Sequence, residues 1–151
     1  SKNLGVAASS NKGIKHAKGN FFVRVDSDDY VNKNFIKDLY NKINKKKKIL
    51  GISCNYILVS NSGKKIKKID YKKKPISCGV MYNRKKLINL GIYNKNFKHR
   101  EEEELRKRLG SFYNIYNLKK YLYFYRMHNS NKTKKKKLMK NFKLKLSKLY
   151  N

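Results

Sequence analysis

Cysteine is scarce in this chain of 151 residues, and the two present, Cys54 and Cys78, show no Cys-x-x-Cys spacing. That excludes a disulfide framework and a zinc site, and a reducing, cytoplasmic setting is expected. Long apolar runs are missing too. None approaches the ~18 residues that a membrane-spanning helix needs, so the chain is expected to be soluble. The opening SKNLGVAASS has no charged stretch followed by an apolar segment, and no secretion signal is expected from it. Position 1 is Ser rather than Met, as if the sequence began inside a structured element, and a fragment is expected. Alanine occurs three times, whereas Lys (34), Asn (19), Ile (12) and Tyr (12) make up half the chain. These four share A/T-rich codons, so part of the charge reflects composition rather than an anionic partner.

Acidic residues number nine against forty Lys and Arg, a formal charge of +31. Hydrophobic residues at 39% and aromatics at 13% still suffice for one core, which excludes a wholly disordered polyelectrolyte. Residues 5–18 read as a helix from the spacing of Val6, Ala7, Ser10, Ile14 and Ala17, stopped by Gly19. The run FFVRVD reads as a strand ending in Asp26-Ser27-Asp28-Asp29. Asn32 is placed to cap a second helix with Phe35, Ile36, Leu39, Tyr40 and Ile43 on one stripe. Strands at 49–59 and 64–69 flank the turn Asn61-Ser62-Gly63, predicting a hairpin. An extended run follows Pro75, then a short helix over 84–90, a helix over 101–109 and a strand over 118–127. From residue 132 the tail is Lys-rich, with Leu138, Phe142, Leu146 and Leu149 at amphipathic helical spacing. Mixed helices and strands on one modest core predict an α/β domain.

Seven of the nine acidic residues stand in two clusters: Asp26, Asp28 and Asp29 at a strand end, and Glu101 to Glu104 in sequence. Three carboxylates within four residues suit a hard divalent cation such as Mg2+ or Mn2+, although such a turn equally serves to cap the next helix. The four glutamates are either a solvated helix start, with Arg106 and Arg108 at i+4 from Glu102 and Glu104, or a catalytic group. His128 offers an imidazole to Mn2+ or phosphate, and Arg126 a planar fork for phosphate or an acidic neighbour. Arg24, opposite in direction to Val23 and Val25, either lies on a solvated sheet face or reaches a phosphate. His16, His99 and Lys12 read as surface residues, and the two cysteines as inert packing.

The stretch from Asn3-Leu4-Gly5 through Ser10-Asn11-Lys12-Gly13-Ile14, then Ala17-Lys18-Gly19 and Phe22 to Tyr30, resembles the nucleotide-sugar half of family 2 glycosyltransferases. The likeness continues through Gly79-Val80-Met81-Tyr82, Glu101 to Leu105 with Arg108, and Tyr125-Arg126-Met127-His128. It implies the GT-A fold, a three-layer α/β/α sandwich, incomplete at its amino end because the family's first strand, helix and strand are missing. It implies a catalytic domain over 1–131, followed by a basic amphipathic helix over 132–151. Asp26 and Asp28 would serve metal and donor, with Asp29 a further ligand or helix cap and His128 near the donor diphosphate. Asn11, Gly13 and Arg126 would lie on the donor side, although many relatives carry Arg where this chain has Ser10. Glu102 matches the general base, with Glu101 beside it, and Gly79 and Met81 would lie toward the acceptor.

The implied reaction is sugar transfer with inversion from a nucleotide-sugar donor to a glycan or lipid-linked hydroxyl in surface-polysaccharide synthesis, with a divalent metal as cofactor. Two separated acidic clusters suit that division between a leaving diphosphate and an acceptor hydroxyl. The competing class is a non-catalytic basic module binding nucleic acid or an anionic membrane. The aromatics follow strand and helix periodicities and no zinc-finger, RRM or KH signature occurs, so specific nucleic-acid recognition is not expected. The basic tail suits peripheral association with the inner face of the cell membrane, or else packs on its own domain.

Overall fold

A computed structural model describes residues 5–128 and 136–150, with side chains of the last segment from residue 140 onward. Asn3 and Leu4 of the amino-terminal motif, the tail start at 132–135 and the Leu138 side chain lie outside the described residues. The strands are β1 (Phe21–Val23), β2 (Tyr30–Val31), β3 (Gly51–Val59), β4 (Lys65–Ile69), β5 (Met81–Asn83) and β6 (Ile115–Arg126). The helices are α1 (Val6–His16), α2 (Phe35–Lys45), α3 (Arg84–Asn89), α4 (Glu101–Leu109) and α5 (Lys136–Tyr150).

All six strands form one sheet in the order β1-β5-β3-β6-β2, with β4 also on β3. Strand β3, GISCNYILV, is buried along nearly its whole length, and its polar Ser53 and Asn55 are both bonded there to Asn117 of β6. It pairs in parallel with β6 on one edge, and antiparallel with β5 and β4 on the other. A parallel pair needs a long crossover, and the chain from the hairpin through α4 provides it.

Two apolar clusters show how the layers form. Phe35, Leu39 and Ile43 of α2 pack with Ile52, Cys54, Tyr56 and Tyr123 on one face of the sheet. Ala7 and Ile14 of α1, Leu87 of α3, and Leu105 and Leu109 of α4 pack with Leu50, Val80 and Tyr82 on the other. Adjacent Met81 and Tyr82 divide between the clusters, as alternation along a strand dictates. The result is the expected α/β/α sandwich.

Local departures have physical causes. The strand after Gly19 ends at Val23, and the acidic turn leads into β2, which joins the sheet antiparallel to β6. The run after Pro75 becomes a strand only at Met81. Gly79 has φ 73°, its N–H bonds to the Arg24 carbonyl at 2.9 Å, and an added Cβ would lie 2.8 Å from the Tyr123 ring. Asn32 is not the cap of α2, a position held by Asn34; it makes the turn before it, its side chain accepting from Asn34 N–H at 2.9 Å and its carbonyl from Phe35 N–H at 2.8 Å. Helix α5 packs back on the domain. Leu146 is 1% exposed, Phe142 lies 6.1 Å from Phe97 and 5.3 Å from His99 between ring centres, and the Tyr150 hydroxyl donates to Glu104 Oε1 at 2.7 Å. Leu149, expected on the same stripe, points to solvent because Tyr150 takes the seat at that end.

Candidate active site

A cavity of about 1010 Å³ is bordered by Gly5 and by α1 at Val6, Ser9 and Ser10, by the turn 24–28, by the segment 74–78, and by the start of α4. Tyr125 and His128 complete the rim. Both acidic clusters therefore face one space, although their residues are some 75 positions apart in sequence.

The acidic turn is closed by the Asp29 N–H bonding to the Asp26 carbonyl at 3.0 Å. Asp28 Oδ2 meets His128 Nε2 at 2.6 Å, and this contact holds the Asp28 carboxyl below its ordinary value. Asp29 accepts from the Tyr123 hydroxyl at 2.6 Å and from the Arg126 N–H at 2.8 Å, while burial pushes its carboxyl up. The Cys78 thiol also donates to Asp29 Oδ2 at 3.8 Å, and the bonds from Tyr123 and Arg126 fasten the turn to β6. The Asp26 N–H donates to the Tyr123 hydroxyl at 3.2 Å, and its carboxylate lies 2.9 Å from Arg24 Nε.

A hard divalent cation fits part of this donor set. The carboxylates of Asp26 and Asp28 are 39% and 42% exposed beside the cavity, and the His128 imidazole is adjacent. Ligand atoms of Asp26, Asp29 and Cys78 also lie within 4.8 Å of one another. The Cys78 thiol is buried, which pushes its pKa above the ordinary value and keeps it neutral, so it suits Mg2+ poorly. Among the described residues no such close group includes Asp28 or His128, whose side chains bond to each other at the cavity rim.

At the second cluster each glutamate has a different task. Glu101 Oε1 lies 3.4 Å from Arg24 Nη1. Glu102 turns inward, rather than pairing with Arg106 along the helix. Its Oε1 accepts from Tyr82 at 2.6 Å and from Tyr113, and its Oε2 accepts from Tyr93 at 3.0 Å. Burial raises the Glu102 carboxyl, against the pull of these hydroxyls. Glu103 pairs with Arg100. Glu104, fully buried, accepts from Arg108 Nε at 2.8 Å, the i+4 pair expected from sequence. Arg108 in turn donates to the carbonyls of Leu90, Gly91 and Ile92, fixing the loop beyond α3.

Arg24 lies between the clusters, 19% exposed, with further bonds to Ser10 Oγ at 3.4 Å and to Ser77 Oγ. Burial disfavours its charge, but Asp26, Tyr93 and Glu101 outweigh that and hold its pKa above the ordinary value. The sequence left Arg24 open between a solvated face and a phosphate contact; its partners are carboxylates and serines. The signal was present as a cation just past an apolar strand and two positions before the first of three clustered aspartates.

Other expected site residues fall outside the cavity lining among the described residues. Asn11 is 3% exposed and clamps α1 to the loop after α3: its Nδ2 donates to Tyr93 O at 2.7 Å and its Oδ1 accepts from Tyr93 N–H at 3.1 Å. Gly13 is exposed, with open space where a side chain would be. Arg126 donates from Nε to the Asp28 carbonyl at 2.7 Å and lies over the Tyr30 ring, bracing the acidic turn from outside. Gly79 makes the turn described above, and Met81 is a core residue at 4% exposure. Tyr82, Tyr93 and Tyr113 were not foreseen, since they converge from three separate segments.

An α/β sandwich with two acidic clusters on one cavity has the layout of a nucleotide-sugar transferase. The family model for glycosyl transferase family 2 matches residues 1–143, and the chain belongs to that family. No curated protein matches it. Similar solved structures include S. aureus TarS 1-349 in complex with UDP (TM-score 0.66, 21% identity) and in complex with UDP-GlcNAc (TM-score 0.67, 21% identity). The match covers 84% of this chain in each, and 41% and 40% of the respective TarS chains, so this chain spans about two fifths of their length. At that identity the likeness establishes the fold.

Proposed function

We propose that the protein transfers a sugar, with inversion, from a nucleoside-diphosphate sugar to a hydroxyl of a glycan or lipid-linked acceptor in surface-polysaccharide synthesis. The observation that carries this reading is the convergence of the acidic turn and the α4 glutamates on one cavity. Family membership supports it, as do the UDP and UDP-GlcNAc complexes of the similar TarS structures.

Direct displacement at an anomeric carbon needs an activated hydroxyl on one side and a stabilised diphosphate on the other. Asp26, Asp28 and His128 would hold Mn2+ or Mg2+ on the diphosphate side. Such an ion, when bound, supplies Lewis-acid neutralisation of the leaving phosphate. On the opposite side the Glu101–Glu102 pair takes the acceptor proton. Glu102 has its proton affinity raised by burial, which favours its taking the acceptor proton, and three tyrosine hydroxyls hold it in place. Glu101 reinforces the local negative charge. Asp29, Tyr123 and Arg126 keep the acidic turn in position.

We place the protein on the cytoplasmic side, in peripheral contact with the inner membrane face. The support is α5, lysine-rich with Leu144 and Leu149 more than half exposed. The functional test is release of nucleoside diphosphate from UDP-GlcNAc and related donors in Mn2+, comparing wild type with Asp28→Ala and with Glu101→Gln and Glu102→Gln. Loss of about 100-fold or more is expected for Asp28→Ala and for the variant of the base. Undiminished turnover in all three variants would refute the assignment.

A further inference from the structure

Two carboxylates brought to one cavity repel each other unless a cation stands between them, and the cation here is half-buried and branched. Arg24 Nε lies 2.9 Å from Asp26 Oδ1 without the alignment of a hydrogen bond, and Nη1 reaches Glu101 Oε1 at a long 3.4 Å. The other Nη1 contact, Ser10 Oγ, is equally long, while Nη2 is tied to Ser77. Such a guanidinium is shared between its carboxylates, with neither one holding it outright. Lysine, a point charge, could not fork to both.

We propose that Arg24 is a positioning residue that couples the two sides of the site, so that divalent-cation binding at Asp26 and the placement of Glu101 depend on each other. This rests on the reading of Asp26 as a metal-side carboxylate. A dication at Asp26 competes with Arg24 for the same oxygen and repels the guanidinium, leaving Glu101 as its remaining carboxylate partner. Thermodynamic reciprocity then requires the converse: neutralising Glu101 returns Arg24 to Asp26, where it opposes the cation.

The experiment measures Mn2+ binding directly, from the free-ion electron paramagnetic resonance signal, alongside sugar transfer. The proteins are wild type, Arg24→Gln, Arg24→Lys, Glu101→Gln, Asp26→Asn and the double variant Arg24→Gln/Glu101→Gln. Arg24→Gln is expected to bind Mn2+ about tenfold tighter while turnover falls about tenfold, opposite signs that a disrupted site would not give. Arg24→Lys retains the charge, so Mn2+ affinity stays near that of wild type, yet turnover remains low. Glu101→Gln weakens Mn2+ binding by about threefold with Arg24 present and by clearly less without it. Unchanged or weaker Mn2+ binding in Arg24→Gln overturns the coupling, as does an equal Glu101→Gln effect in both backgrounds. Asp26→Asn separates the two claims. If it abolishes Mn2+ binding while Arg24→Gln changes nothing, the coupling alone is wrong; if it leaves Mn2+ binding intact, the metal-side reading fails.

Discussion

Glu102 is a carboxyl held away from water by three tyrosines, and that placement makes stability depend on pH in a defined direction. Burial raises its pKa above the ordinary 4.5, so the folded protein holds this proton more tightly than the unfolded chain does. Its contribution is therefore complete below 4.5 and is lost as pH rises through the folded value. Thermal unfolding of wild type and Glu102→Gln should agree at about pH 4 and diverge toward pH 7, with the variant the more stable at neutral pH. A constant offset across that range would show that the buried carboxyl does not titrate upward. The same variant loses transfer activity if Glu102 is the base, so stability and function pull apart at one residue. The sequence displayed four consecutive glutamates but not their separate directions. Apart from the i+4 pair of Glu104 with Arg108, those depend on Arg24, Tyr82, Tyr93, Tyr113 and Tyr150, which only the folded chain brings to α4.

Among the elements, α5 presents two faces that act separately. Leu146 is buried against the domain, whereas Leu144 and Leu149 are 52% and 56% exposed among lysines. Replacing both exposed leucines by serine should reduce co-sedimentation with anionic phosphatidylglycerol vesicles severalfold while leaving the unfolding free energy within about 0.5 kcal/mol of wild type. Equal sedimentation of both proteins would leave α5 as a packing helix alone. Elements with strong periodicity were legible: Phe35, Leu39 and Ile43 of the expected α2 stripe form its buried face, although Ile36 and Tyr40 of that stripe are 53% and 48% exposed, and β3 is the buried central strand. Strand β2 was not, because Tyr30–Val31 is too short to show alternation and exists through pairing with β6. Nor was the break before β5, where the backbone at Gly79 turns under the Tyr123 ring.

At the scale of the molecule, a formal charge of +31 means that folding gathers like charges together. Added monovalent salt should therefore stabilise the protein, with Tm rising by several degrees between about 0.05 and 0.5 M NaCl as the Debye length shortens. A flat or falling Tm would mean that the native ion pairs outweigh this repulsion. The sequence revealed the two acidic clusters because acidic residues are so few, and the fold places both on one cavity. It could not reveal Arg24 as their link, since the residues involved are 77 positions apart.

The parallel pairing of β3 with β6 also governs how this chain is made. Gly51 stands opposite Ile115, so the central strand emerges from the ribosome 64 positions ahead of its partner. At roughly 5–20 residues per second, that interval is on the order of 3–13 s. Throughout it, an apolar strand with one open edge is exposed to other nascent chains and to chaperones, and translation speed between residues 60 and 126 sets how long that exposure lasts.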